Sequence, residues 1–194
     1  WTNCLLEERH LYDSLCNLIM EMANNGQNEV LVNSPLLESY NRDKYKGFRI
    51  ISSTTRCLNT IEQLNMALEK DYYLVVVDYT MNNRFDLLQS ITRPEKCEIL
   101  VNEPCLDACP NRKAHYEFES WCQLKFIHDA TWHCPIMSEP FHREKRASYV
   151  SYDSIVQKYL PMGFVNFKLE GRNNPPSELI PQYQHYLVKP EYRG

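Results

Sequence analysis

Apolar positions along the chain alternate between two rhythms. Within residues 4–25, Leu11, Leu15, Leu18 and Met22 return at spacings of three and four, which lays one apolar stripe along a helix. Asn24-Asn25-Gly26 marks its end. EVLVNSP (29–35) is a short valine-rich run closed by Pro35 and reads as a strand. The polar stretch LLESYNRDKYKG is a short helix, and FRIISSTT (48–55) is a second strand. Asn59 to Lys70 reads as a helix, with Asn59 and Glu62 as its N-terminal capping pair and Leu64 and Leu68 on its inner face. YYLVVVDYT (72–80) is almost continuously apolar, the mark of a strand buried on both faces. A helix over 83–91 and a fourth strand, CEILVNEP (97–104), follow. Ser151 is placed to cap a helix carrying Ile155, Val156, Tyr159 and Leu160, which Met162-Gly163 ends. FVNFKLEGR (164–172) is the fifth strand, and Ser177 to Leu187 a closing helix.

Strand and helix thus alternate five times, which argues for an α/β fold of parallel βαβ units. Two architectures fit. One is an open doubly wound sheet. The other is a partial, five-strand arc of a TIM-type β/α barrel, with a cysteine-rich excursion after the fourth strand. The chain has only five glycines and no Gly-rich phosphate turn, which weighs against a dinucleotide-binding sheet. A complete barrel needs eight strands and about 250 residues. The expected organisation is one partial-barrel domain over 1–194, with 105–150 as the cysteine-rich insertion.

Composition narrows the function classes. The net charge of −4 gives no general attraction for nucleic acid, although basic clusters stand at Arg112-Lys113 and at His142 to Arg146. No apolar run approaches the roughly 20 residues that span a membrane. Nothing at the N-terminus reads as a signal peptide, so the expected location is cytoplasmic. The chain begins with Trp1, so it is processed, trimmed or a piece of something longer.

Four of the eight cysteines fall within thirty residues: Cys105, Cys109, Cys122 and Cys134, with gaps of three, twelve and eleven residues. Four thiolates can close a tetrahedron around zinc or hold the corners of an iron–sulfur cluster. The first pair follows directly on the fourth strand. Arg112 stands where a CxxxCxxC motif would place a third cysteine. The other reading of these residues is buried free thiols, since cysteine is often fully buried; disulfides come third. His115, His128 and His133 lie among them and could each replace a thiolate.

Polar residues gather where the strands end: Asn33 and Ser34, then Ser53 to Thr55 and Arg56, then Asp78 and Tyr79, then Asn102 and Glu103, and finally Lys168, Glu170 and Arg172. In parallel α/β folds these ends converge on one rim, where a polar substrate site is expected. The candidate catalytic residues are Glu170, Arg172 and Asp78. Each has a structural alternative: Ser53 to Thr55 as a helix cap, Asp78 as a partner of a neighbouring strand end, Glu170 with Arg172 as an ordinary ion pair.

FKLEGR (167–172) resembles the KIEGR signature of the U32 peptidase family. VSYDSIVQKYLPMGFVNFKLEGR looks like that family's capped helix, glycine turn and final strand. EILVNEPCLDAC is similar to the strand delivering its first two cysteines, and ISSTT to an earlier strand end. The resemblance implies a divergent, N-terminally truncated (β/α)₈-type barrel with a [4Fe–4S] cluster on Cys105, Cys109, Cys122 and Cys134. It also implies a redox, hydroxylation or modification reaction on a small polar substrate or an RNA base. This chain departs from the pattern in its closer first cysteine pair and its shorter loop between the second and fourth cysteines. The competing functions are a protein with a structural zinc site and a U32-type peptidase. The last lacks a GxSxG elbow or an HExxH helix and would rest on a cysteine paired with His115. Five strands leave two sheet edges, so the expected partner is the missing N-terminal part of the barrel or another subunit.

Overall fold

The computed structural model of the chain describes residues 3–128, 130, 132, 133, 146–171 and 174–193. Five strands form one sheet: β1 (Glu29–Val32), β2 (Arg49–Ser52), β3 (Leu74–Val76), β4 (Cys97–Leu100) and β5 (Asn166–Lys168). Their order in the sheet is their order in the sequence, and every neighbouring pair is parallel. A doubly wound sheet reverses its strand order at a switch point. This sheet does not. Among the two expected architectures, the chain is therefore the arc of a TIM-type barrel, and the barrel is not closed.

Side chains alternate across each strand. Val30, Val32, Ile50, Val75, Val77, Ile99 and Val101 face one way and join the main core. That core also takes Leu37 of α2 (Pro35–Lys44), Leu64 and Leu68 of α3 (Ile61–Leu68) and Leu88 of α4 (Phe85–Leu88). The connecting helices thus cover one face. On the other, Ile51, Val76 and Leu100 form a second, smaller cluster with Leu31 and Leu74 at its margin. Glu98 and Lys168 pair at 3.0 Å. Continuing each strand two residues beyond the last member of this inner row reaches Asn33, Ser53, Asp78, Asn102 and Glu170. The inner face is apolar through the sheet and turns polar at the C-terminal end of all five strands.

The N-terminal helix departs from expectation. A 3₁₀ turn (Glu8–Tyr12) precedes α1 (Ser14–Ala23), and Asp13 breaks the two apart, its side chain accepting from the Cys16 N–H at 2.7 Å. The break shifts the helical phase. Leu11 still packs on the core, but Leu15, Leu18 and Met22 are 64%, 53% and 75% exposed. Met20 takes the buried place, and Asn17 turns inward to accept from Tyr40 and Tyr45, each at 2.5 Å.

Two other expectations move. The cap of α3 is Thr60, whose hydroxyl accepts from the Gln63 N–H at 3.2 Å, rather than Asn59. The cysteine-rich stretch, expected as one long loop, contains α5 (Arg112–Lys125), a run of good helix formers with neither glycine nor proline. The chain returns to the sheet where Asp107 accepts from the N–H groups of Ala147 and Ser148, and Val150 N–H reaches Val101. Ser151 caps α6 (Tyr152–Ser154) as expected, and a π turn (Ile155–Tyr159) and a 3₁₀ turn containing Pro161 follow before Gly163. Helix α7 (Pro176–Leu187) closes the chain. No helix among the described residues is long and apolar enough to cross a membrane.

Candidate functional site at the strand ends

Asp78 lies two residues past β3, with no exposed side-chain surface. One of its oxygens takes the N–H and hydroxyl of Thr80, capping the 3₁₀ turn that begins at Tyr79. Arg112, in the first turn of α5, donates to both carboxylate oxygens, at 2.9 and 2.7 Å. The rest of the guanidinium is also committed: Nε to the Tyr116 hydroxyl at 3.0 Å, and the other fork to the Thr54 carbonyl at 3.2 Å. Its plane sits 4.1 Å from the centre of the Tyr79 ring. Buried pairs of this kind are costly to break, by about 3–5 kcal/mol when one partner is removed. Asp78 therefore keeps α5 docked on the strand ends, and none of its described contacts leaves it free for substrate.

Beside this pair, past β4, stands Glu103. It is 7% exposed and accepts from the Cys105 N–H at 2.9 Å. Burial first, and then the charge of Glu170, push its carboxyl up to about 7, against the opposing pull of the Cys105 N–H and Arg112. The fully buried Tyr79 donates to the Leu106 carbonyl at 3.3 Å, and burial pushes its hydroxyl far above the usual range. Burial also raises the Cys105 thiol, with the Tyr79 hydroxyl opposing and Glu103 adding to the effect. Cys57, past β2, holds a left-handed backbone (φ 54°) on the same rim, an uncommon conformation for a residue with a Cβ.

Glu170 stands where expected, at the end of β5. Its N–H donates to Asn102 Oδ1 at 2.8 Å and its carbonyl accepts from Asn102 Nδ2 at 3.0 Å. The buried Asn102 side chain thus continues the β4–β5 ladder one step past its last backbone pair, and it also donates to Gln182 of α7. Ser53 caps the short 3₁₀ turn after β2, accepting from the Thr55 N–H at 3.2 Å, in line with its structural alternative. Arg56 points away from the rim to Glu38 and Tyr72, and Lys168 is held by Glu98. Arg172, and His142 to Lys145 of the basic cluster, lie outside the described residues.

The cysteines divide. Cys105 and Cys109 bracket the turn that leads into α5, where the Cys109 carbonyl accepts from the Arg112 N–H. Cys122 is buried in the same helix, ten residues beyond Arg112, which places it about 15 Å further along the axis. A [4Fe–4S] cluster or a tetrahedral zinc needs its thiolates around one point. The helix therefore keeps Cys122 away from the first pair, and Cys134 lies outside the described residues. Among the described residues, no group of three or more His, Cys, Asp and Glu could hold a metal ion. Cys105, Cys109 and Cys122 are thus not gathered at one point among the described residues. His115 stacks on Trp132, with centroids 5.3 Å apart, and faces Glu119 at 3.5 Å rather than a thiol. His128 and His133 are exposed.

Two members of the site, Glu103 and Tyr79, stand among the polar strand ends of the sequence but outside its catalytic set. Arg112 is visible there as half of a basic pair and as the residue in place of a third cysteine, not as a member of the site. The signal that finds it is helical: Arg112 and Tyr116 are one turn apart on α5, so both reach the same strand end.

No family model matches the chain, and no solved structure matches it. It is similar to a protein of Methanocaldococcus jannaschii described only as an uncharacterized protease, with 28% identity over 174 residues. That match covers 81% of this chain and 48% of the relative, so the chain spans about half the length of the curated protein it resembles.

Proposed function

We propose that the strand ends form the hydrolytic site of a peptidase of the U32 type, with Glu103 as its acid–base group. The observation that carries this reading is the Glu103 carboxyl itself. It is buried on the polar rim beside Glu170 and titrates near neutrality, where a group both accepts and returns a proton efficiently. The likeness to an uncharacterized protease supports the same choice. In this reaction Glu103 takes a proton from water as the water oxygen bonds to the amide carbon. The tetrahedral intermediate then collapses, the carbon–nitrogen bond breaks, and Glu103 returns its proton to the departing amine. The Asp78–Arg112 pair fixes the start of α5 and the Tyr79 ring behind the rim. Burial raises the proton affinity of Glu103, and the charge of Glu170 adds to it.

The test is peptide cleavage by the chain, followed by mass spectrometry on a casein digest. Cleavage should rise with pH along a limb near 7, and Glu103→Gln should slow it by about 10²–10⁴-fold. A Glu103→Gln variant that cleaves as fast as the parent overturns the assignment. So does a parent chain that leaves every peptide intact above neutral pH.

A further inference from the structure

The last rung between β4 and β5 is made by a side chain. In a parallel ladder, a residue that donates to one position of its neighbour ordinarily accepts from the position two further on. Val101 donates to the Lys168 carbonyl at 3.1 Å, so the Val101 carbonyl is the usual acceptor for the Glu170 N–H. Instead that carbonyl accepts from the Val150 N–H at 2.9 Å and from the Tyr186 hydroxyl at 3.2 Å. Asn102, 1% exposed, takes over. Its Oδ1 accepts from the Glu170 N–H at 2.8 Å, and its Nδ2 donates to the Glu170 carbonyl at 3.0 Å.

Helix α7 braces this rung. Gln182 and Tyr186 are one turn apart on it and share a face. Gln182 accepts from Asn102 Nδ2, and Tyr186 reaches Val101, so the two grip consecutive residues past β4. Between β5 and the helix the chain turns at Gly171, with φ +116°, where a Cβ would stand 3.1 Å from the Leu179 side chain. Glu170 is thus pinned on both sides.

What is pinned is a carboxylate whose charge is felt by a second, Glu103. Like charges push apart, so Glu170 needs a backbone anchor to stay beside Glu103. A carboxamide supplies it. An aspartate of the same shape has no N–H for the Glu170 carbonyl or for Gln182, and it adds a third negative charge.

We propose that Asn102 is a positioning residue of the strand-end site, holding Glu170 beside Glu103, and that helix α7 holds Asn102 in turn through Gln182. Docking of α7 thereby governs the geometry of the site. The proposal rests on the peptidase reading for what the carboxylates do, and on the hydrogen bonds alone for how they are held.

The test compares Asn102→Asp and Gln182→Leu with the parent, each well below its own unfolding midpoint. On the best-cleaved casein peptide, Asn102→Asp should lower kcat about 10²-fold and leave KM within about twofold, the cost of misplacing a group at the reacting centre. Gln182→Leu, at a partly exposed helix position, removes one acceptor and should lower kcat about three- to tenfold. In ¹³C spectra at one fixed pH, the side-chain carboxyl signals of Glu103 and Glu170 should both move in each variant. Parental kcat in both variants overturns the proposal. So does a lower unfolding midpoint with kcat unchanged, the signature of a purely structural amide. Where Asn102→Asp does not fold, Gln182→Leu decides by the same readouts. A parent that cleaves nothing sinks the peptidase reading alone; the carboxyl signals then decide, and unmoved signals overturn the proposal.

Discussion

Glu103 gives the fold a pH dependence of unusual sign for a carboxylate. Its proton affinity in the folded chain lies above the ordinary value of 4.5, at about 7. The fold therefore favours the neutral carboxyl. The stability this brings is fully present below about pH 4.5 and is lost as pH rises through 7. At higher pH the ionised side chain costs about 3 kcal/mol relative to an exposed carboxylate, since each tenfold change in proton affinity is worth about 1.4 kcal/mol. Glu103→Gln removes that cost. Urea titrations should find the variant more stable than the parent by a few kcal/mol at about pH 8, with the gap closing near pH 4.5. A gap that does not depend on pH would mean that Glu103 titrates as an ordinary surface carboxyl.

Elements carry the clearest lessons about legibility. All five strands could be read from the sequence, because runs such as YYLVVVDYT have no other stable home than a covered parallel sheet. The polar strand ends were legible for the same reason: two-residue alternation projects Asn33, Ser53, Asp78, Asn102 and Glu170 onto one face. Capping was legible only to within a residue. Asn59 and Thr60 are both good caps, and the choice depends on where the backbone leaves the extended region, which is a tertiary matter. Thr60→Ala should cost about 1 kcal/mol in thermal or urea unfolding, while Asn59→Ala should stay within about 0.5 kcal/mol. Helix α5 was hidden for another reason: cysteine spacing invites a reading by ligand count, yet spacing does not fix distance once a helix intervenes. With Cys122 about 15 Å along α5 from Arg112, Cys122→Ser should leave the iron, zinc and sulfide content of anaerobically purified protein at the parent's level. A fall in metal content on that substitution would show the thiol to be a ligand after all.

The molecule as a whole is an arc, and its N-terminal end is where local sequence patterns mislead most. In the middle of the arc each helix has a strand on either side to bury its stripe, so Leu64 and Leu68 of α3 sit at 0% and 1% exposure, as their spacing says. Helix α1 stands before the first strand, and there the pattern of Leu11, Leu15, Leu18 and Met22 does not coincide with the packed face. Asp13 interrupts the helix, Asn17 is drawn inward by two tyrosine hydroxyls, and Leu15 and Leu18 rotate outward. The two arrangements predict different energetics. Glutamine has nearly the same helix propensity as leucine and methionine, so Leu15→Gln with Met22→Gln changes burial and little else. Were the stripe packed, each substitution would remove buried apolar area worth roughly 1.5–3 kcal/mol. With both side chains mostly in solvent, each should change the unfolding free energy by less than about 0.5 kcal/mol. Met20→Gln, three positions from Asn17 on the face that does pack, is the internal contrast: it should cost several times more than the exposed pair together, because it puts an amide against the core at a place with no partner prepared for it.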